Sequence, residues 1–153
     1  MFKSTFGGLA VCLVACNSAS AQERQWFLDS TDEDAFLVFG VPESDDTGLS
    51  IWCTIHSGKA KIFLPEASEK LKPDTTGTME LVAGEVVVRI SGVSLENQES
   101  GISSLEVEVE TTNPIFAAMT KSDRLKIHVE GEEQIIPLVD ADIEGLLKLC
   151  NKP

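Results

Sequence analysis

After residue 21, apolar and polar residues alternate in short runs separated by turn residues, so the chain reads as strands before it reads as anything else. From Leu49 to His56, Ile51, Cys53 and Ile55 share one side and Trp52, Thr54 and His56 the other, the period of two that a half-buried strand requires. Lys59 to Leu64 repeats the pattern after Ser57-Gly58, a two-residue hairpin signal. That loop pairs Cys53 with Ile62, Ile51 with Leu64 and Ile55 with Ala60, matching inward residue to inward residue, and it sets Trp52 opposite Phe63 outside. The same logic across Ala83-Gly84 pairs Leu81 with Val86 and Met79 with Val88.

Further runs extend the series. Ala35 to Val41 is an apolar strand closed by Pro42, preceded by a lead-in from Gln22 to Asp34 with room for one short strand. Pro65 to Pro73 reads as irregular or as one helical turn, and Ser91 to Gly101 as a loop with a short strand at Val93 to Leu95. Ile102 to Glu110 alternates strictly, with Leu105, Val107 and Val109 inward and Glu106, Glu108 and Glu110 outward. Leu125 to Val129 and Gln134 to Leu138 flank a turn at Gly131.

Two stretches change to the helical period. Asn113-Pro114 couples a capping residue to a proline at the first helical position, opening a short helix near 113–121 that would bury Ile115, Phe116 and Met119. Ile143, Leu146, Leu147 and Cys150 form one stripe of a helix near 141–150, started by Asp140 or Asp142. Eight or so short strands with so little helix predict an all-β fold, an antiparallel sandwich or a small barrel.

The first 21 residues break the alternation. Lys3, an apolar run from Phe6 to Ala15 and the small residues Ala19-Ser20-Ala21 have the layout of a signal peptide cut before Gln22, leaving 22–153 as a single exported β domain. Leu13-Val14-Ala15-Cys16 offers a rival cut, in which Cys16 becomes the lipidated N-terminus of an envelope lipoprotein. The apolar run is about half of what a bilayer-spanning helix needs, and no later segment is apolar enough to span. Either cut places the protein in the periplasm.

Cleavage after Ala21 removes Cys12 and Cys16 and leaves Cys53 and Cys150, both inward-facing, in an oxidising compartment; a disulfide between them is expected. A redox pair would need the thiols close in sequence, and a zinc site would need more ligands.

Composition then bounds the partners. Twelve Lys plus Arg against 25 Asp plus Glu give a charge of −13, which excludes a general grip on nucleic acid and disfavours an anionic membrane. Without Lys3 the balance is 11 − 25, or −14. The sequence has no nucleophile elbow, phosphate-cradling loop, His-Glu-x-x-His or dinucleotide fingerprint, so no catalytic, cofactor-binding or metal residue is assigned and no cofactor is implied. His56 and His128 lie on outward faces without motif partners, and the acidic clusters Asp29 to Asp34 and Glu43 to Asp46 lack calcium-loop spacing. Two outward features remain as a binding patch: Trp52 with Phe63, and the row Glu106, Glu108, Glu110, which would present negative charge to a basic partner. The aromatic pair has a second reading, a small outer core covered by Trp26-Phe27-Leu28.

The ordering of an export segment, Val41-Pro42-Glu43-Ser44-Asp45-Asp46, a cysteine in the next strand, and Ile136-Pro137-Leu138 before a helix with a terminal Cys resembles small exported single-disulfide proteins of alpha-proteobacteria. The resemblance implies no activity and no site residue. The expectation is an exported, non-enzymatic binding or interaction module engaging a basic protein, an inhibitor of basic lysozymes being one concrete form. The rivals are an enzyme with dispersed carboxylates and a lipid-anchored structural protein of the envelope.

Overall fold

Nine strands and two helices follow one another as β1 (Gln25–Ser30), β2 (Asp34–Gly40), β3 (Thr47–Thr54), β4 (Lys59–Ser68), β5 (Thr76–Ala83), β6 (Val86–Glu96), β7 (Ser103–Glu110), α1 (Pro114–Met119), β8 (Arg124–Val129), β9 (Glu132–Pro137) and α2 (Ile143–Cys150). The computed structural model describes residues 22–153; the stretch read as a signal peptide and both cleavage readings, Cys16 included, lie outside the described residues. All pairings are antiparallel within one sheet of order β1-β2-β3-β4-β7-β6-β5-β8-β9, which curls into a half-barrel. The fold is therefore all-β with two short helices, and no described helix is long and apolar enough to cross a membrane.

The inner face collects the alternating apolar residues foreseen from the sequence. Leu37, Ile51, Ile62, Leu64, Met79, Leu81, Leu105 and Ile127 are all essentially fully buried there. Each helix closes part of that face. The α1 helix, capped by the Asn113 side chain on the Ile115 amide, lies against β5 and β6 through Ile115, Phe116 and Met119. Asp142 caps α2 through the Gly145 amide, and α2 lies on β2 and β3. Its buried stripe is Ile143, Leu146 and Cys150, while Leu147, read as inward, is only half-buried at its margin. Cys150 is bonded to Cys53 of β3, closing 97 residues of chain. One side chain spans the edges of the half-barrel: the Trp26 indole of β1 donates to the Pro137 backbone carbonyl of β9 at 2.6 Å.

Both hairpin registers differ from the expectation by two residues, which preserves the faces but changes the partners. Ile51 pairs with Ile62 and Trp52 with Lys61, not Phe63, whose partner is Ser50. The loop is Ile55 to Gly58 rather than Ser57-Gly58, because the end of α2 holds it open: the His56 and Gly58 amides donate to the Leu149 and Cys150 carbonyls. His56 is thus a loop residue with φ of 61° rather than a strand residue, and its ring nitrogen Nδ1 lies 3.0 Å from the Asn151 carbonyl. In the second hairpin Ala83 pairs with Val86, making the turn Gly84-Glu85. Glycine, with φ of 57°, takes the first central position, as a type II′ turn demands.

Two segments read as irregular are strand. The ladder of β4 continues past a register shift between Leu64 and Ser68. The β6 strand runs unbroken through Gly92, where a Cβ would come within 1.9 Å of the Glu106 carbonyl oxygen; the glycine marks a close strand approach rather than a loop.

Candidate functional site

Antiparallel registers fix which outward side chains become neighbours across strands. One row on the outer face runs Phe27, Val38, Ser50, Phe63, Glu106, Val93 from β1 to β6. The next runs Asp29, Phe36, Trp52, Lys61, Glu108 from β1 to β7. Trp52 and Phe63 are therefore on one face in adjacent rows, although not opposite each other. Glu106, Glu108 and Glu110 share that face.

The aromatic cluster is wider than the pair read from the sequence. Phe36 stacks on Trp52 with ring centroids 6.2 Å apart and planes 20° apart, and the Lys61 ammonium lies 4.7 Å from the Trp52 ring centroid. Phe27, Phe36, Val38, Trp52 and Phe63 are each half-buried. The cover once ascribed to Trp26-Phe27-Leu28 is not formed. That segment is β1, paired edge to edge with β2, so Phe27 extends the outer face, while Trp26 packs inward, 5.4 Å from Phe39 between ring centroids.

The glutamate row is less naked than its sequence suggests. Glu106 pairs with Lys61 at 3.0 Å and Glu108 with Lys59 at 2.7 Å, each across the β4–β7 ladder. The Lys59 ammonium, through its hydrogen bond first and its charge second, holds the Glu108 carboxyl below the usual carboxylate range. Among the described ion pairs Glu110 has no partner. The lysines were readable in principle, since Lys59 and Lys61 alternate in step with the glutamates.

Beside these rows runs an open groove of about 540 Å³, floored by Val38, Ser50, Phe63 and Ser104 and walled by Pro65 and Leu95. Asp45 and Glu96 stand at its rim, and no basic residue lines it. The Asn97 amide, at 3.4 Å from the Pro65 carbonyl, and the Ser104 hydroxyl, at 3.2 Å from the Leu95 carbonyl, tie the 95–98 wall to the floor. Five strands contribute, which is why no local motif announces the groove. It offers apolar surface with an acidic rim.

A second charged constellation crosses the other end of the face. Arg89, Glu80, His128 and Glu133 stand side by side on β6, β5, β8 and β9. His128 lies 3.0 Å from Glu80 through Nδ1 and 2.7 Å from Glu133 through Nε2, so both ring nitrogens are occupied. Glu80 also takes the Arg89 Nε–H at 2.6 Å, and that bond, ahead of the His128 contact, keeps its carboxyl below its ordinary range. This is a structural clasp across four strands. No cluster of three or more His, Cys, Asp or Glu side chains among the described residues is arranged to hold a metal ion.

No family model, no curated protein and no solved structure matches the chain.

Proposed function

We propose that the protein is an exported, non-enzymatic binding module that engages a basic protein through the groove and aromatic rows of its outer face. The observation that carries this reading is the surplus of apolar surface there. Phe27, Phe36, Val38, Trp52 and Phe63 lie on the face away from the core, and no described helix or strand packs over them. The core is already complete on the inner face, and although the Phe36–Trp52 stack and the Lys61 contact add to the sheet's stability, they leave a contiguous apolar patch open to a partner.

The rim selects the partner. An apolar side chain entering between Phe63 and Leu95 would bring flanking Lys or Arg residues to Asp45 and Glu96, within a net field of 11 − 25, or −14, over residues 22–153. The Lys59–Glu108 and Lys61–Glu106 pairs fix the neighbouring side chains rather than attract the partner. A rival enzyme with dispersed carboxylates would need a carboxyl held protonated in a cleft. Glu80 and Glu108 are held instead below the ordinary carboxylate range by Arg89 and Lys59. The Cys53–Cys150 disulfide accords with the oxidising compartment that export supplies.

The test is affinity capture from an envelope extract, followed by titration of the purified partner, with a basic lysozyme titrated in parallel. Phe63→Ser and Leu95→Ser should each weaken binding by about tenfold or more, the usual cost of losing a well-packed anchor. A partner bound equally by the wild type and both folded variants would overturn the reading.

A further inference from the structure

Strand β1 ends the sheet, paired with β2 on one side and with no strand on the other. In an antiparallel ladder, residues that bond the neighbour alternate with residues whose N–H and C=O point away from it. The Thr31 amide donates to the Asp34 carbonyl at 2.8 Å, one step beyond the Ser30–Ala35 pair in the same register. Gln25, Phe27 and Asp29 therefore bond β2, and Trp26, Leu28 and Ser30 turn their main chain to the free edge. The far side of β2 agrees, since the Ile55 amide donates to the Glu33 carbonyl and so places Ala35 and Leu37 at bonding positions toward β3. The Ser30 amide is taken by the Asp29 carboxylate at 2.8 Å. No hydrogen bond among the described residues takes in the N–H or C=O of Trp26 or Leu28, although both residues are half-buried.

The two edges of the sheet differ. The β9 edge begins with Glu132 and Glu133 and ends with Pro137, which has no N–H, and charges and proline are what discourage strand addition. The stretch Gln25 to Leu28 has neither charge nor proline. Arg24 turns back to Asp46 in the β2–β3 turn, and the Trp26 indole reaches Pro137 from the inner face, so neither side chain lies along the free edge.

The strand is also self-complementary about Phe27. Two copies paired antiparallel around a two-fold axis at Phe27 keep outer face with outer face and inner with inner. Outside, Gln25 then meets the partner's Asp29, amide to carboxylate, and Phe27 meets the partner's Phe27; inside, Trp26 meets the partner's Leu28. The unused main-chain groups meet in the same register. Trp26 and the partner's Leu28 exchange two hydrogen bonds, and Leu28 and the partner's Trp26 exchange two more. Moving the axis to Leu28 would set Phe27 against the partner's Asp29 and Trp26 against a Ser30 whose amide is already taken. Moving it to Trp26 would set Phe27 against the partner's Gln25.

We propose that the protein forms a two-fold dimer by pairing β1 with β1 of a second copy about Phe27. The sheet then continues across the seam, and the outer row Phe27, Val38, Ser50, Phe63 of one copy runs into that of the other, leaving both grooves open. The acidic surplus of the two copies, Glu23 and Asp29 included, opposes the pairing, so salt should strengthen it by screening.

Sedimentation equilibrium of the exported protein should show a monomer–dimer equilibrium that tightens as salt is raised. Phe27→Cys should oxidise to a covalent dimer, because residues facing each other on such an axis have Cα atoms about 4.5 Å apart, within disulfide reach, whereas Asp29→Cys, set against Gln25, should not. Leu28→Pro removes an N–H that the β1–β2 ladder does not use and should weaken the dimer about tenfold or more, with thermal melts confirming the fold. Phe63→Ser, in the groove, should leave it unchanged. A protein still monomeric at about 1 mM would overturn the proposal, as would a dimer dispersed by Phe63→Ser and untouched by Leu28→Pro. A Phe27→Cys form that cross-links only a different protein in envelope extract would assign the edge to another protein's strand and equally overturn the second-copy assignment.

Discussion

Strands β1 to β4 and strands β5, β6, β8 and β9 are two halves of one curled sheet joined through β7, each with a helix on its inner face. The first half carries α2, fastened by the Cys53–Cys150 bond, and the second carries α1 with no cross-link. Inside, the halves are alike, both lined by aliphatic residues at alternate positions. Outside, they diverge. The first shows aromatic rings and most of an acid-rimmed groove, whose far wall is Leu95 and Glu96 at the end of β6, whereas the rest of the second shows a clasp of charges and a depression lined by Lys121, Arg124 and Lys126. The contrast teaches that a net charge is an average over surfaces with different uses, and that the interior of a β domain says little about its exterior.

The largest effects should come from the helices that close the two halves. Phe116→Ala in α1, 1% exposed in the native fold, should cost ~3 to 5 kcal/mol, and denaturant unfolding measures it. Removing the disulfide by Cys53→Ser with Cys150→Ser should cost ~2 to 5 kcal/mol and raise amide exchange in α2 and the 55–58 loop while leaving α1 protected. Uniform loss of protection would mean that the halves are not separable. Within α2, Leu146→Ala should cost ~2 to 5 kcal/mol and Leu147→Ala clearly less, since only Leu146 is fully buried.

A smaller effect concerns pH, and it samples the second half and the joining strand β7. Glu80 and Glu108 each have a folded pKa below the ordinary glutamate value, so each contributes stability that is present above that value and is lost as pH falls through the folded pKa. Melting temperature should therefore drop on acidification below the ordinary carboxylate range, and Glu80→Gln and Glu108→Gln should each flatten that drop. Because Glu108 is exposed and Glu80 only partly covered, solvent screens both and the change will be modest. The smallest effect should be that of Glu110→Gln on the association rate of a basic partner, less than about twofold at low salt, because one rim-distant charge adds little to the field of the whole domain.

The inner face was legible because alternation needs only local sequence: Ile51, Ile62, Leu81, Leu105 and Ile127 all face the core as read. The disulfide followed from the same periodicity. Registers were less legible because the end of α2 sets the first loop and Gly84 the second turn, and a shift of two residues leaves every face correct while changing every partner. The groove could not be read, because Val38, Ser50, Phe63, Ser104 and Leu95 meet only through a strand order in which β4 pairs with β7 and β7 with β6.

The central claim is that the aromatic rows and the groove of the outer face meet a protein and that the outer face around Val87 does not. Photo-crosslinking in the exporting cell tests it directly, with benzoylphenylalanine placed at Phe63 in one strain and at Val87 in another. The expected result is a discrete protein adduct from position 63 and none from position 87. A protein adduct formed only from position 87, or from neither position in a strain where the protein is folded and exported, would contradict the account.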